Sequence, residues 1–272
     1  MPFTDDPLER ITPRILIVAG SDSGGGAGVQ ADIRTVTMLG GHAMTAITAV
    51  TAQNTVGVQG VHLIPPAMVV EQMKSCLGDI GADAIKIGML GSPATAHAVA
   101  DVLSQLDLPI VFDPVMVATS GATLADLDTI EAFGRLMGLA SVVTPNLPEL
   151  QVLGGEASVL AHGCHLVVKG GHGDTPYCTD RLLAPQGQIA ELNAKWIDTS
   201  STHGTGCTFA SALATSLGWG YSIRDAFEVA VRFVRLALLE APGLGEGHGP
   251  MGHQYVYEYQ DPEEWPGGYD PL

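Results

Sequence analysis

Six short apolar runs, each followed by a longer stretch before the next, constrain this chain more than any other feature. They cover residues 15–20 (ILIVAG), 44–51, 84–88, 110–113 (IVFD), 141–144 (SVVT) and 166–170 (LVVKG). The runs are continuous rather than alternating and rich in β-branched residues, the pattern of parallel strands buried on both faces. Several of the stretches between them have helical period. Residues 66–78 place Val69, Met73, Cys76 and Leu77 on one face, and 94–106 and 123–138 are similar. Near the end, 223–239 carries Ile223, Phe227, Ala230, Val234 and Leu238 on one stripe, a strong amphipathic signal. Alternating β and α segments predict an α/β fold, an open parallel sheet with helices on both faces. Residues 177–195 add two short strands about Gln186-Gly187, a hairpin that can form an antiparallel edge.

Composition narrows the function classes. At 272 residues the chain can bury a full core without disulfides or structural metal. Its formal charge of −17 opposes nucleic-acid binding, where phosphate neutralisation dominates, and an anionic membrane is a poor partner for the same reason. Any phosphate ligand must be held by backbone N–H groups and a few placed cations. The lysines are only Lys74, Lys86, Lys169 and Lys195. Cys76, Cys164, Cys178 and Cys207 form no CxxC pair. With no signal-peptide pattern at the N-terminus and no long apolar run, a reducing cytoplasm is the expected setting.

Two glycine-rich loops carry most of the chemical information. The first, residues 20–28 (GSDSGGGAG), follows a strand and precedes a helix. It lacks the Lys-Ser/Thr of a nucleotide P-loop. A dinucleotide fingerprint matches at Gly26-Ala27-Gly28-Val29-Gln30-Ala31, but residues 43–57 hold no acid to grip a ribose, and the glycines fall inside the predicted helix. Two readings remain: a tight turn, or a pocket where small residues let a planar ligand reach the backbone, with Asp32 and Gln53 offering hydrogen bonds. The second loop, residues 202–208 (THGTGCT), precedes a small-residue helix. Successive glycines at a helix N-terminus make an anion hole suited to a phosphate in transfer. Cys207 sits at that end, where the helix dipole lowers a thiol pKa. A buried cysteine that merely packs the helix start is the plainer alternative.

Acids and amides stand at the predicted strand ends, where ligands bind in such sheets. Asp113 ends the fourth run, and Asn146 and Glu149 follow the fifth. These groups suit a hydrated Mg²⁺ on nucleotide phosphates, and Asn146 and Glu149 also suit a helix cap; both can hold at once. Lys169, closing the sixth run before Gly-Gly, is placed for a phosphate. His162, Cys164, His165, His172 and Cys178 fit no zinc spacing.

In order, the segments IVAGSDSGGGAGVQADIRT, ITAVTAQNTVGV, KIGMLGS, FDPVMVATSG, TPNLPEL, VVKGGH, THGTGCTFASALA and GLGEGHGP span nearly the whole chain. Together they resemble the hydroxymethylpyrimidine/phosphomethylpyrimidine kinases of thiamine biosynthesis, in the ribokinase-like superfamily. The resemblance implies a three-layer α/β/α fold with a mostly parallel central sheet and a small antiparallel edge. It places one kinase domain over residues 1–252 (core 14–252) and leaves 253–272 as an extension, with no room for a fused synthase domain. It implies that Gly20, Asp32, Gln53, Met89 and Val115 line a pyrimidine pocket and that Gly204, Thr205 and Gly206 form the anion hole. Cys207 is the implied base. Asp113 and Glu149 are implied to hold Mg²⁺, and Lys169, Asn146 and Thr202 to serve ATP. A homodimer is also implied. The sequence departs at Glu246, where some members carry a basic residue facing the substrate phosphate. A pyridoxal or pyridoxine kinase of the same fold, a non-catalytic pyrimidine- or nucleotide-binding protein, and a nicotinamide-binding dehydrogenase are the rivals.

Overall fold

The computed structural model describes residues 12–118, 121–122, 124–170 and 176–259. Nine strands form one sheet in the order β3-β2-β1-β4-β5-β6-β7-β8-β9. The strands are β1 (Arg14–Asp22), β2 (His42–Gln53), β3 (Val58–Leu63), β4 (Ala84–Ile87), β5 (Ile110–Phe112), β6 (Val142–Val143), β7 (His165–Val168), β8 (Tyr177–Ala184) and β9 (Gly187–Lys195). From β2 to β7 all neighbours are parallel; β3, β8 and β9 are antiparallel. The predicted hairpin is thus β8–β9, at the sheet edge. The opposite antiparallel edge, β3, went unpredicted: most of its residues are exposed, so no burial pattern marks it.

The helices are α1 (Gly28–Met38), α2 (Pro66–Asp79), α3 (Pro93–Leu103), α4 (Leu127–Met137), α5 (Leu147–Val152), α6 (Glu156–Leu160), α7 (Thr205–Gly218) and α8 (Ile223–Leu239), with a 3₁₀ segment over His253–Tyr259. The core explains the continuous apolar runs. Leu16, Val18, Ile85, Ile87, Phe112 and Val143 pack to one side with residues of α2, α3 and α4. Ile15, Ile17, Ala84, Val111 and Val167 pack to the other with α1, α7 and α8. Each strand residue is therefore buried whichever way it points, and each large aliphatic side chain contributes about 1.5–3 kcal/mol by leaving water. Phe112 and Phe133 meet edge to face at 5.1 Å on the first side, and Phe209 and Phe227 at 6.3 Å on the second.

Local chemistry sets the helix ends. Asp126 caps α4 by accepting the Thr129 N–H at 2.9 Å, so that helix begins later than the predicted residue 123. At α1, the helix starts at Gly28, so of the two fingerprint glycines Gly28 is inside it and Gly26 is not. Gly28 has φ +55°, and a Cβ there would lie 2.3 Å from the Gly20 carbonyl, so only glycine fits. Among the described residues all four cysteines are free, and no helix is long and apolar enough to cross a membrane.

Candidate active site

The strand order reverses at β1, flanked by β2 and β4, and a cavity of about 790 Å³ opens beyond the carboxyl ends of the parallel strands. Its position follows the rule for open α/β sheets, and its size suits a small ligand with a nucleotide. Gly20, Gln53, Met89, Val115, Asp113, Asn146, Glu149, Lys169 and Thr202 through Cys207 all line it. Residues separated by nearly two hundred positions are brought together because each follows a strand or opens a helix at this end of the sheet.

Asp32 is the exception and corrects the expectation of a pocket residue. It is fully buried beneath the cavity floor, where both carboxylate oxygens accept from Lys86 Nζ at 2.9 and 2.8 Å and Oδ1 also accepts from Ser211 at 2.7 Å. Burial pushes Asp32 up, opposed by Lys86 and Ser211. Burial pulls Lys86 down, yet Asp32, Cys207 and Asp113 outweigh it and hold the ammonium above its usual range. Lys86 was legible only as the single charge in an otherwise apolar strand, AIKI. Asp22 and His203 also escaped the sequence reading; both line the cavity and bond each other at 2.8 Å.

The second glycine loop forms as expected at the start of α7. Gly204 sits at the N-cap with φ +85°, and a Cβ would lie 2.0 Å from the Gly26 carbonyl, so the two loops are in close contact. The Thr205 N–H turns back to the Thr202 carbonyl, leaving the Gly206 and Cys207 N–H groups at the open end of the helix. A Cβ on Gly206 would lie 3.3 Å from Lys169 Nζ and 3.4 Å from Asp113 Oδ2, which puts cation, carboxylate and helix start side by side. Lys169 Nζ donates to Asp113 Oδ1 at 3.2 Å, and the Thr144 hydroxyl donates to the same oxygen at 3.0 Å.

Cys207 departs from the expected low-pKa thiol. Burial pushes it up to about 11; Lys86 and a hydrogen bond from the Gly28 N–H lower it, while Asp32 and Asp113 raise it. The helix end favours the thiolate, but desolvation and two carboxylates outweigh it.

Asn146 and Glu149 form a capping box on α5: Glu149 N–H donates to Asn146 Oδ1 at 2.8 Å and Asn146 N–H to Glu149 Oε2 at 2.9 Å. The cap and the cavity position hold together, as the sequence allowed. Burial, then Asp113, raises the Glu149 carboxyl to about 7, against Lys169. Two carboxylates that repel each other at the cavity wall fit a divalent ion. Among the described residues no group of three His, Cys, Asp or Glu ligands exists, so the fit is to Mg²⁺ that keeps water and phosphate ligands, not to a closed protein cage.

Thr202 Oγ1 lies 3.1 Å from His248 Nδ1, and His248 lines the cavity; Glu246 is exposed and does not. His162, Cys164, His165 and Cys178 form no metal cluster among the described residues, and His172 lies outside them.

Residues 22–252 match the phosphomethylpyrimidine kinase family. The chain is 43 % identical over 254 residues to a thiamine biosynthesis bifunctional protein of Geobacter sulfurreducens, covering 88 % of this chain and 52 % of that one. It therefore spans about half the length of that relative. Against a hydroxymethylpyrimidine/phosphomethylpyrimidine kinase of Bacillus subtilis it is 40 % identical over 255 residues, covering 88 % of this chain and 94 % of the relative. In three dimensions it resembles the pyridoxal kinase of Staphylococcus aureus solved with AMP-PCP and pyridoxal, with a TM-score of 0.82 and 30 % identity over 93 % of this chain and 97 % of that one. With the family match spanning five of the six parallel strands, all but β1, and every residue of the cavity's reactive end, the chain belongs to the phosphomethylpyrimidine kinase family.

Proposed function

We propose that this protein is a Mg·ATP-dependent kinase that phosphorylates 4-amino-5-hydroxymethyl-2-methylpyrimidine and then its monophosphate, as in thiamine biosynthesis. The observation that carries the reading is the convergence of the α7 N-terminus, Cys207, Lys169 and Asp113 in a cavity that Gly20, Gln53, Met89 and Val115 also line.

Phosphoryl transfer asks for positioning and charge neutralisation more than covalent work. Met89 and Val115 offer apolar contact to a ring, and Gln53 a paired donor and acceptor. With the ring seated there, Cys207 takes the hydroxyl proton as the alcohol oxygen forms its bond to the γ-phosphorus. The bond to the ADP oxygen breaks, and ADP leaves with that electron pair. The anion hole is the turn Gly204-Thr205-Gly206, where the N–H groups left open at the start of α7, those of Gly206 and Cys207, face the transferring phosphoryl oxygens, and Lys169, Asn146 and Thr202 hold the nucleotide phosphates. Asp113 and Glu149 would hold Mg²⁺, which supplies neutralisation of the phosphate charge. In the second step the acceptor is a phosphate oxygen, already anionic, so the base matters less.

An ADP-release assay with Mg·ATP on the pyrimidine alcohol, its monophosphate and pyridoxal tests the reading. Turnover of both pyrimidines with pyridoxal poor is the expected result. Pyridoxal turnover alone would transfer the assignment to a pyridoxal kinase, the reading favoured by the structural likeness to that enzyme. Binding with no ADP formed from any acceptor would make the chain a non-catalytic binder.

A further inference from the structure

Asp22 and His203 link the two glycine loops across the cavity. Asp22 Oδ1 accepts from the Gly24 N–H at 2.8 Å, while Oδ2 accepts from Gly26 at 3.0 Å, Ala27 at 2.9 Å and His203 Nε2 at 2.8 Å. Burial pushes this carboxyl up, but the His203 bond and the Ala27 and Gly24 N–H groups bring it below its ordinary value, so it is ionised. An imidazole nitrogen 2.8 Å from a carboxylate must carry a proton. His203 Nε2 is thus a donor whether the ring is neutral or charged, and it keeps no lone pair for another partner.

The Gln53 amide lies between His203 and Thr51. As placed, Nε2 is 3.2 Å from His203 Nε2 and Oε1 is 3.3 Å from Thr51 Oγ1. The first contact sets a donor against a donor. In the second, the Thr51 hydroxyl hydrogen has its shorter acceptor in the Ser21 carbonyl at 3.0 Å, which leaves the Thr51 oxygen suited to accept from Gln53. Exchanging the two ends of the amide moves no other group and removes the donor–donor contact: Oε1 takes a share of the one His203 Nε2 hydrogen, whose main acceptor is Asp22, and the NH₂ donates to Thr51. The His203 contact calls for this orientation, and the Thr51 contact suits it.

We propose that the Asp22–His203 pair and Thr51 lock the Gln53 amide in this one orientation, and that the locked amide selects the ring by its donor–acceptor order. The inference rests on the pyrimidine reading above. Gln53 lines the cavity, and its remaining groups are one lone pair on Oε1 and one N–H. An amino group beside the hydroxymethyl carbon, with a ring nitrogen next to it, offers a donor and an acceptor that complement those groups. The 4-oxo analogue of the same ring offers an acceptor and an N–H in their place. Pyridoxal presents an aldehyde oxygen beside its hydroxymethyl carbon. Both set like against like unless the amide can turn over. His203 and Thr51 are positioning residues in this scheme, acting through Gln53.

The test compares kcat/KM for the 4-amino alcohol and its 4-oxo analogue in the wild type, His203→Phe and Thr51→Val. The wild type should prefer the amino ring by about a hundredfold, the usual consequence of leaving a buried polar group unpaired. Each variant frees the amide, so each should lose about tenfold of that preference, chiefly through KM and with the oxo ring retained or improved. Thr51→Val leaves the Asp22–His203 link in place and keeps the test readable if His203→Phe does not fold. Equal losses on both rings, with the ratio unchanged in a folded variant, would overturn the lock while leaving the kinase assignment standing. No turnover of the amino alcohol by the wild type would overturn the substrate reading itself, and this inference with it.

Discussion

Cys207→Ala separates the two phosphorylations, and the structure sets how. With the thiol at about 11, a free enzyme at pH 7.5 holds thiolate in only about three molecules in ten thousand. If the alcohol step draws on that fraction, its kcat/KM should rise nearly tenfold per pH unit from about pH 7 to 9, because kcat/KM reports ionisations of the free enzyme. The monophosphate acceptor is already ionised and should show no such slope. Cys207→Ala should cost the alcohol step about 10²–10⁴-fold and flatten its pH profile, while the second step loses far less. The assay is ADP release over that pH range with each acceptor at subsaturating concentration. Equal losses in both steps, with the alcohol slope retained in the variant, would refute the reasoning and leave the sulfur as packing at the helix start.

Three further perturbations follow from buried groups. Lys86→Met strips the fully buried Asp32 of its cation and should destabilise the fold by about 3–5 kcal/mol in urea, with Lys86→Met/Asp32→Asn recovering most of the loss. His253 is buried and bonded to Thr208 at 2.8 Å, and burial lowers it to about 4. Its folded pKa lies below its unfolded value near 6.5, so the stability it contributes is complete above that pH. It is lost as pH falls toward 4, by up to about 3 kcal/mol. His253→Gln should remove this dependence in urea unfolding measured across that window. Gly204→Ala meets both a left-handed φ and the Gly26 carbonyl, and should abolish transfer to either acceptor and lower the melting temperature.

Much of this was legible in the sequence because burial and helix period are local signals. The parallel strands, the β8–β9 hairpin and α8 appear with ends within a few residues, since apolar runs and an amphipathic stripe need no knowledge of partners. The two glycine loops and Asp113, Asn146, Glu149 and Lys169 were legible for a related reason: chemistry in such sheets gathers at strand ends, and strand ends are visible in one dimension. The edge strand β3 was not, because it buries little and so carries no pattern.

What only the tertiary structure decided concerns pairings and fields. Asp32 had the right type and position for a pocket residue, but α1 turns it beneath the floor onto Lys86, fifty-four residues away. Cys207 stands at a helix start, which favours the thiolate, yet three-dimensional burial beside Asp32 and Asp113 sends its pKa the other way. His203, Asp22, Gln53 and Thr51 became a hydrogen-bonded chain only when two distant loops met. Strand and helix patterns depend on which residues leave water, and that is written locally. Ionisation and hydrogen-bond order depend on which charges and donors end up within a few ångströms, and only the assembled fold sets those distances.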